Sequence, residues 1–515
     1  MAIRIFAAID VGSYELAMKI FEFSTKGEMR ELEHIRHRIE LGTDTYHTGK
    51  INQSRVDELC RVLNEFSQIM KSYKVDAYKA YGTSAIRETQ NTVIVTEQIK
   101  LRTGIEIGVL SNSEQRFLHY KAAALKGDNF RNFISKSCAI VDIGGGSIQI
   151  SLFEKDSLVT TQNIRLGVLR MMDMLSMLRP NTRDYENVLG ELIDNQLNSF
   201  RNLYLCGRKI ENIILIDDYI SSAMYSMGSD SRVVSSDEFK MHADRLRNMG
   251  TAEVASKYGM AEEYVDMLVP SAAIVESVLK ITKAKAIWSP GVSLCEGIAY
   301  EYAENEKIIK NSHDFENDIV ACAVAMSKRY MGDKDRNDLL LEIADEIFIG
   351  TRKIHGMSKR DRLLLKIAAI LNDCGKYISI EAAAECAYGI IMATEIIGLS
   401  HNERCIVANV VKFNKIPFEY YDKMATHTNF TREEYLRIAK LTAIFRVADG
   451  VCRSYRNKIT GIHINHKNNE LVITADSGES IVLEQSFFYR KSTFFEEVFA
   501  IRPVLKAGAK NYKTL

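Results

Sequence analysis

Ala139-Ile-Val-Asp-Ile-Gly-Gly-Gly-Ser147 is an apolar run that ends in an aspartate and three glycines before a second apolar run, Ile148 to Phe153, begins. The N-terminal part of the chain repeats the order: Ile5-Phe-Ala-Ala-Ile-Asp-Val-Gly-Ser13, then Leu16 to Phe23. Glycine at such a turn lets backbone N–H groups approach phosphate oxygens where a side chain would block them. Serine adds a hydroxyl donor. An aspartate at the strand end suits Mg2+, which needs few carboxylates when phosphates supply its other ligands. One such turn is explained by a tight hairpin alone. Two turns that both carry aspartate, glycine and serine point to two phosphate loops facing one cleft. Asp10, Gly12 and Ser13 form the first, and Asp142, Gly144, Gly145, Gly146 and Ser147 the second.

With 515 residues the chain is too long for one core and divides into three or four domains. A hydrophobic share of 46%, a charged share of 26% and only 5 prolines describe a folded globular chain with little room for a disordered linker. Lys plus Arg and Asp plus Glu balance at 67 each, so no global field recruits nucleic acid or membrane, and a polyanion site must be local. One basic stretch holds Arg352, Lys353, Lys359, Arg360, Arg362 and Lys366. Nine cysteines stand singly with no C-x-x-C pair, which argues against a disulfide framework or a zinc site and fits a reducing cytoplasm. No leader-like segment and no run of eighteen uncharged apolar residues is seen, so neither export nor a membrane span is expected.

Strands are predicted over Ile3 to Ile9, Glu15 to Phe23 and Glu33 to Leu41, then a helix whose apolar residues run from Val56 to Tyr73, with Ser54 and Asp57 as its capping box. Tyr78 to Arg87 reads as a strand entering a helix capped by Thr83 and Ser84, an N-terminus suited to an anion. A strand Ile105 to Leu110 leads to a helix headed by Ser111-Asn-Ser-Glu-Gln-Arg116. Asp10, Arg87, Glu114 and Asp142 all fall beyond strand ends or at helix starts, where an open α/β sheet binds ligands. After Ser147 come two strands, helices Leu166 to Leu178 and Tyr185 to Leu205, a strand Asn212 to Ile216, a helix Ser271 to Ile281, a strand Ala284 to Trp288 and a helix Val292 to Tyr302. That is a duplicated α/β pattern. From about residue 311 helices alone are predicted, the last from Thr431 to Arg453 with a Thr431–Glu434 capping box and a buried face including Leu436, Ala439, Phe445 and Val447. A small β-containing cap follows, with strand-like alternation through Ile464, Leu471, Ile481 and Leu483.

AAIDVGS at Ala7 to Ser13, YGTSAIR at Tyr81 to Arg87, LSNSEQRF at Leu110 to Phe117 and VDIGGGS at Val141 to Ser147 together carry a resemblance. Weaker echoes are VPSAAIV from Val269, EGIAYE from Glu296 and LTAIFRVADGVCRS from Leu441. In these motifs the chain resembles the exopolyphosphatase and guanosine pentaphosphate phosphohydrolase (Ppx/GppA) family, of the sugar kinase, actin and Hsp70 fold group. The resemblance implies an α/β fold of two ribonuclease-H-like lobes, residues 1–128 and 129–308, an all-α HD-like domain, 309–457, and a small α+β domain, 458–515. It implies inorganic polyphosphate or guanosine penta- or tetraphosphate as ligand, with no nucleic acid or membrane partner, Mg2+ as cofactor and a homodimer. The phosphates would lie against Gly12, Ser13, Thr83, Arg87 and the loop Gly144 to Ser147, with the metal near Asp10, Asp142 and Gln149.

Two departures bear on chemistry. The family's SGxEEAR segment places Glu114 on its first glutamate and Gln115 on its second, the one taken as the base; DIGGGSTE becomes DIGGGSIQ, with Gln149 for a carboxylate. A carboxamide neither takes a proton from water at neutral pH nor binds Mg2+ as a carboxylate does. Leu371-Asn-Asp373 also replaces the His-Asp pair of an HD metal site. Two readings result: a Mg2+-dependent phosphoanhydride hydrolase with Glu114 as base, or a polyphosphate or alarmone sensor that binds without turnover.

Overall fold

The computed structural model describes residues 3–24, 27–176, 185–217, 219–225, 232–309, 313–426, 428–453, 458–467 and 469–508. The chain divides into two compact units, Met1–Phe315 and Glu316–Leu515.

In the first unit, β1 (Arg4–Val11), β2 (Glu15–Phe23), β3 (Met29–Arg38), β4 (Ala77–Gly82) and β5 (Ile107–Val109) form one sheet in the order β3-β2-β1-β4-β5. β1 to β3 run antiparallel, while β4 and β5 add parallel to β1. A second sheet repeats this plan with β6 (Cys138–Ile143), β7 (Ile148–Glu154), β8 (Ser157–Ile164), β9 (Asn212–Asp217), β10 (Val233–Ser235) and β11 (Ala286–Trp288). Its order is β10-β11-β9-β6-β7-β8, so β8-β7-β6-β9-β11 matches the first sheet and β10 is an antiparallel addition at the edge. The duplication expected from the two loops is therefore a duplication of whole sheets.

The inner strands β1, β2, β6, β7 and β9 are mostly apolar and buried because both their faces are covered, whereas the edge strand β3 is polar and partly exposed. On β1, Ala7, Ile9 and Val11 point into one core with the helix Gln53–Ser72, while Phe6 and Ala8 join a second core with Leu294, Ile298 and Ala303. The helix Leu294–Asn305, which the sequence boundary at residue 308 places with the second lobe, thus packs on the first sheet. It crosses the helix Asn112–Ala124 at Gly297, where a Cβ would lie 2.2 Å from the Leu118 carbonyl oxygen. Lys121 reinforces the crossing by pairing with Glu304 at 2.9 Å.

Several local expectations are corrected. The helix Gln53–Ser72 is capped by Asn52, whose side chain accepts from the Arg55 N–H, and not by Ser54. The helix after β4, Ser84–Glu88, has five residues, and neither Thr83 nor Ser84 makes a side-chain cap bond to it. The helix predicted from Leu166 spans Val168–Ser176; residues 177 and 178 lie outside the described residues.

The second unit contains the helices Lys334–Gly350, Lys359–Ile370, His401–Lys415 and Arg432–Val451, and a sheet of β12 (Ile459–Lys467), β13 (Glu470–Ser477) and β14 (Arg502–Ala507). The Thr431–Glu434 capping box is present, but Leu436 is 48% exposed. Ile481 and Leu483 do not form a strand; Ile481 stands at the head of the helix Val482–Phe499. Within the basic stretch, Arg360 is paired with Glu403 and Arg362 with Asp345, which reduces its field. No helix among the described residues is long and apolar enough to cross a membrane.

Buried charge holds this unit's helices in register. Arg336 donates to Asp373 at 2.5 Å and to Asp449 at 2.8 Å, and Lys415 reaches Asp373 at 3.0 Å. Burial raises the Asp373 pKa, but Lys415, Arg336 and Lys376 outweigh it and bring the carboxyl to about 2. Breaking a buried pair from one side typically costs about 3–5 kcal/mol. Arg336→Met is accordingly expected to destabilise the unit by about 3 kcal/mol, measured by urea unfolding. Asp373's contribution should be complete above its unfolded pKa, near 4, and be lost as pH falls toward about 2.

Candidate phosphate-binding cleft

The two glycine loops leave corresponding strands, and each closes with the same hydrogen bond. The Gly12 N–H donates to the Glu15 carbonyl, and the Gly144 N–H to the Ser147 carbonyl, both at 3.0 Å. A Cβ on Gly145 would lie 3.3 Å from the Ser13 Cβ, so the loops approach each other closely. Between them is a cavity of about 390 Å³ whose wall includes Asp10, Gly12, Ser13, Thr83, Gln115, Arg116, His119, Gly144 and Gly145. Lys19, Arg36 and Arg232 also line it, as do the carboxylates of Glu15 and Asp217.

The first loop's hydroxyl is held in a ring of three. Ser13 Oγ lies 2.7 Å from Ser84 Oγ and 3.0 Å from Tyr46 Oη, and Tyr46 donates to Ser84 at 2.9 Å. Gly146 comes so close to this ring that a Cβ would lie 2.4 Å from Tyr46 Oη. The second loop is held from outside, where Arg170 donates to the Gly146 carbonyl at 3.0 Å while pairing with Glu88 at 2.6 Å.

Glu114 does not reach the cavity wall. Its carboxylate accepts from the Ser111 N–H at 3.0 Å and the Ser111 hydroxyl at 2.7 Å, completing a capping box for the helix Asn112–Ala124. Gln115 is the residue of that pair at the cavity. Arg87 is turned to the same helix start, donating to the Leu110 carbonyl at 2.7 Å and to Asn112 Oδ1 at 2.5 Å. Neither Arg87 nor Gly146 nor Ser147 is part of the wall; Ser147 offers its carbonyl to the Gly144 N–H and to Arg116.

Asp142 is buried at the end of β6, and both its oxygens are taken. Arg116 Nη1 bonds Oδ1, and His119 Nδ1 lies 2.5 Å from Oδ2. Burial alone would raise the Asp142 pKa; Arg116 and His119 outweigh it and hold the carboxyl below its usual range. Opposite Asp142 across the β6–β7 ladder stands Gln149, 2% exposed, with its Nε2 unpartnered among the described residues. No group of three His, Cys, Asp or Glu side chains able to hold a metal occurs among the described residues. Of the three expected Mg2+ positions, Asp142 is thus occupied by a guanidinium and an imidazole, Gln149 offers an amide, and Asp10 alone contributes a carboxylate to the wall. These side chains do not fit a divalent ion at Asp142.

Sequence patterning did not single out Arg116 and His119. They stand three apart on one helical face, and two polar residues among the buried Phe117, Leu118 and Tyr120 were the available signal.

The family model described as the Ppx/GppA phosphatase family matches residues 20–306, and that of Ppx/GppA phosphatase domain III matches 321–486. This chain belongs to the Ppx/GppA phosphatase family. Among relatives, a guanosine-5'-triphosphate,3'-diphosphate pyrophosphatase of Aliivibrio fischeri is 18% identical over 92% of this chain and 91% of its own length. Exopolyphosphatase 1 of Mycobacterium leprae is 20% identical over 58% of this chain and 89% of its own. The match to Exopolyphosphatase 1 of Mycobacterium bovis, at 25% identity, covers 28% of this chain but only 40% of that protein. The crystal structure of an exopolyphosphatase from Cytophaga hutchinsonii superposes with a TM-score of 0.51 at 20% identity, covering 60% of this chain and all of that one. The fold of this Ppx/GppA member is the actin-like pair of α/β lobes with an added C-terminal helical region.

Two substitutions separate structure from chemistry. Glu114→Ala should cost about 1 kcal/mol in thermal unfolding, as a lost cap does, and leave phosphoanhydride binding unchanged. Asp142→Asn should cost about 3 kcal/mol in the same measurement, because it leaves the buried Arg116 without its counter-charge.

Proposed function

We propose that the cleft binds the terminal phosphates of inorganic polyphosphate or of a guanosine penta- or tetraphosphate, and that this chain holds them with hydrolysis strongly impaired. Family membership supports the phosphoanhydride class of ligand. The two facing loops support the mode of binding, since Gly12, Ser13, Gly144 and Gly145 line a wall that also carries the cationic side chains of Lys19, Arg36 and Arg232. One observation carries the statement about turnover. At the position where a base would face the cavity, the side chain is the carboxamide of Gln115, while the neighbouring carboxylate of Glu114 is committed to its helix cap.

The second reading, a Mg2+-dependent hydrolase, has its own support. The relatives named exopolyphosphatase and guanosine pyrophosphatase favour it, and Asp10 and Glu15 remain as carboxylates in the wall.

Calorimetric titration with tripolyphosphate and with guanosine pentaphosphate, paired with a phosphate-release assay, separates the two. Binding without appreciable release is expected for the wild-type chain, and Gln115→Glu should raise release by about 100- to 10,000-fold, the contribution of a general base. Wild-type turnover near the ordinary enzymatic rate of about 10 per second, lost in Glu114→Gln, would instead establish the hydrolase with Glu114 as base.

A further inference from the structure

We infer that Arg116 fills the place of a divalent cation, so that the cleft binds its phosphoanhydride anion without a metal ion. The inference rests on the binding reading above and adds the means by which the anion's charge is met.

Arg116 is 5% exposed, yet it forms part of the cavity wall. Its guanidinium lies against the second glycine loop, where a Cβ on Gly144 would come within 3.1 Å of Nη2. Nη1 bonds Asp142 and Nη2 donates to the Ser147 carbonyl at 3.1 Å. These two contacts use two of the five N–H donors of a guanidinium. The Nε–H is buried and has no partner among the described residues, an arrangement that costs stability unless a ligand satisfies it. A guanidinium with donors to spare beside a glycine loop is the side chain best matched to phosphate oxygens, which it binds through paired, charge-assisted bonds.

The charges around it agree. Lys19 is answered by Glu296 and Glu31, and Arg36 by Glu15. At the Asp142 end there is one buried carboxylate, one guanidinium and the imidazole of His119, with the neutral Gln149 across the ladder. A second carboxylate at 149 would suit a divalent ion; an amide there suits a single guanidinium. A metal bound to Asp142 would have to displace Arg116 from a buried pair or stand beside it as a like charge. Arg116 and Gln149 thus act together: a positive charge is built into this end of the cleft, and the side chain across the ladder from Asp142 is neutral.

The test is titration of the full chain with inorganic tripolyphosphate, in EDTA and in excess Mg2+. Wild type should bind in EDTA, within about threefold of its affinity in Mg2+. Arg116→Ala should bind about tenfold more weakly or worse in EDTA, the scale of a lost charge-assisted hydrogen bond. Arg116→Ala/Gln149→Glu should make binding depend on Mg2+ and should itself show a heat of Mg2+ binding. Should Arg116→Ala fail to fold by circular dichroism, Arg116→Lys replaces it, with affinity reduced several-fold and still insensitive to EDTA. Wild-type binding that EDTA abolishes would overturn the inference and leave the binding reading standing, as would undiminished affinity of the folded Arg116 variant in EDTA. Absence of tripolyphosphate binding under both conditions would overturn the two together.

Discussion

The buried pair of Arg116 and Asp142 is the contact on which the first unit's cleft depends, because it ties a helix of one lobe to a strand end of the other. Asp142 stands next to the end of β6 in the second sheet, and Arg116 belongs to the helix Asn112–Ala124, which follows the last strand of the first. That helix is also where Leu294–Asn305 crosses at Gly297 and where Lys121 meets Glu304. The distance between the two glycine loops is therefore set by one helix, gripped by packing on one side and by charge on the other. Buried ion pairs are a weak source of net stability, since desolvation offsets most of their attraction. Their geometric demand is strong, and a cleft that must present two loops at one spacing uses that demand.

The fate of Glu114 shows how helix-end chemistry competes with catalysis. Its carboxylate and Ser111 satisfy each other's backbone donors at the helix N-terminus. Moving it to the cavity would leave the Ser111 N–H without this acceptor. Gln115, one residue on, turns toward the cavity because neighbouring helical positions are about 100° apart. The cap and the cavity thus select different members of the pair, and in this chain the member that faces the cavity is the one without a charge.

Much of this was legible in the sequence. The two turns that carry aspartate, glycine and serine led to the two sheets, because glycine spacing and the apolar runs on either side of it are local signals. Thr431 and Glu434 specified their cap for the same reason. What could not be read locally was partnership. Nothing within ten residues of Asp142 announces that its counter-charge lies at Arg116, or that Ser13 shares its hydroxyl with Tyr46 and Ser84. Arg87 read as a phosphate ligand because it follows a strand, and the structure turns it to Leu110 and Asn112, a choice made by packing. The helix Leu294–Asn305 was assigned by chain order to one lobe and packs on the other's sheet for the same reason.

The second unit repeats the solution of the first. At Asp373, Arg336 bridges Asp373 and Asp449, and Lys415 and Lys491 complete the charge. Burial pushes the Lys491 ammonium down while its bond to Asp449 opposes the shift, so the cluster holds each ion only by virtue of the others. A carboxylate that a metal would otherwise satisfy needs a cation when buried, and a fixed guanidinium provides one with directional donors and no exchange with solvent. Twice in this chain a buried aspartate is met in that way. The common physical consequence is that both sites carry their positive charge in the covalent structure, present from folding onward.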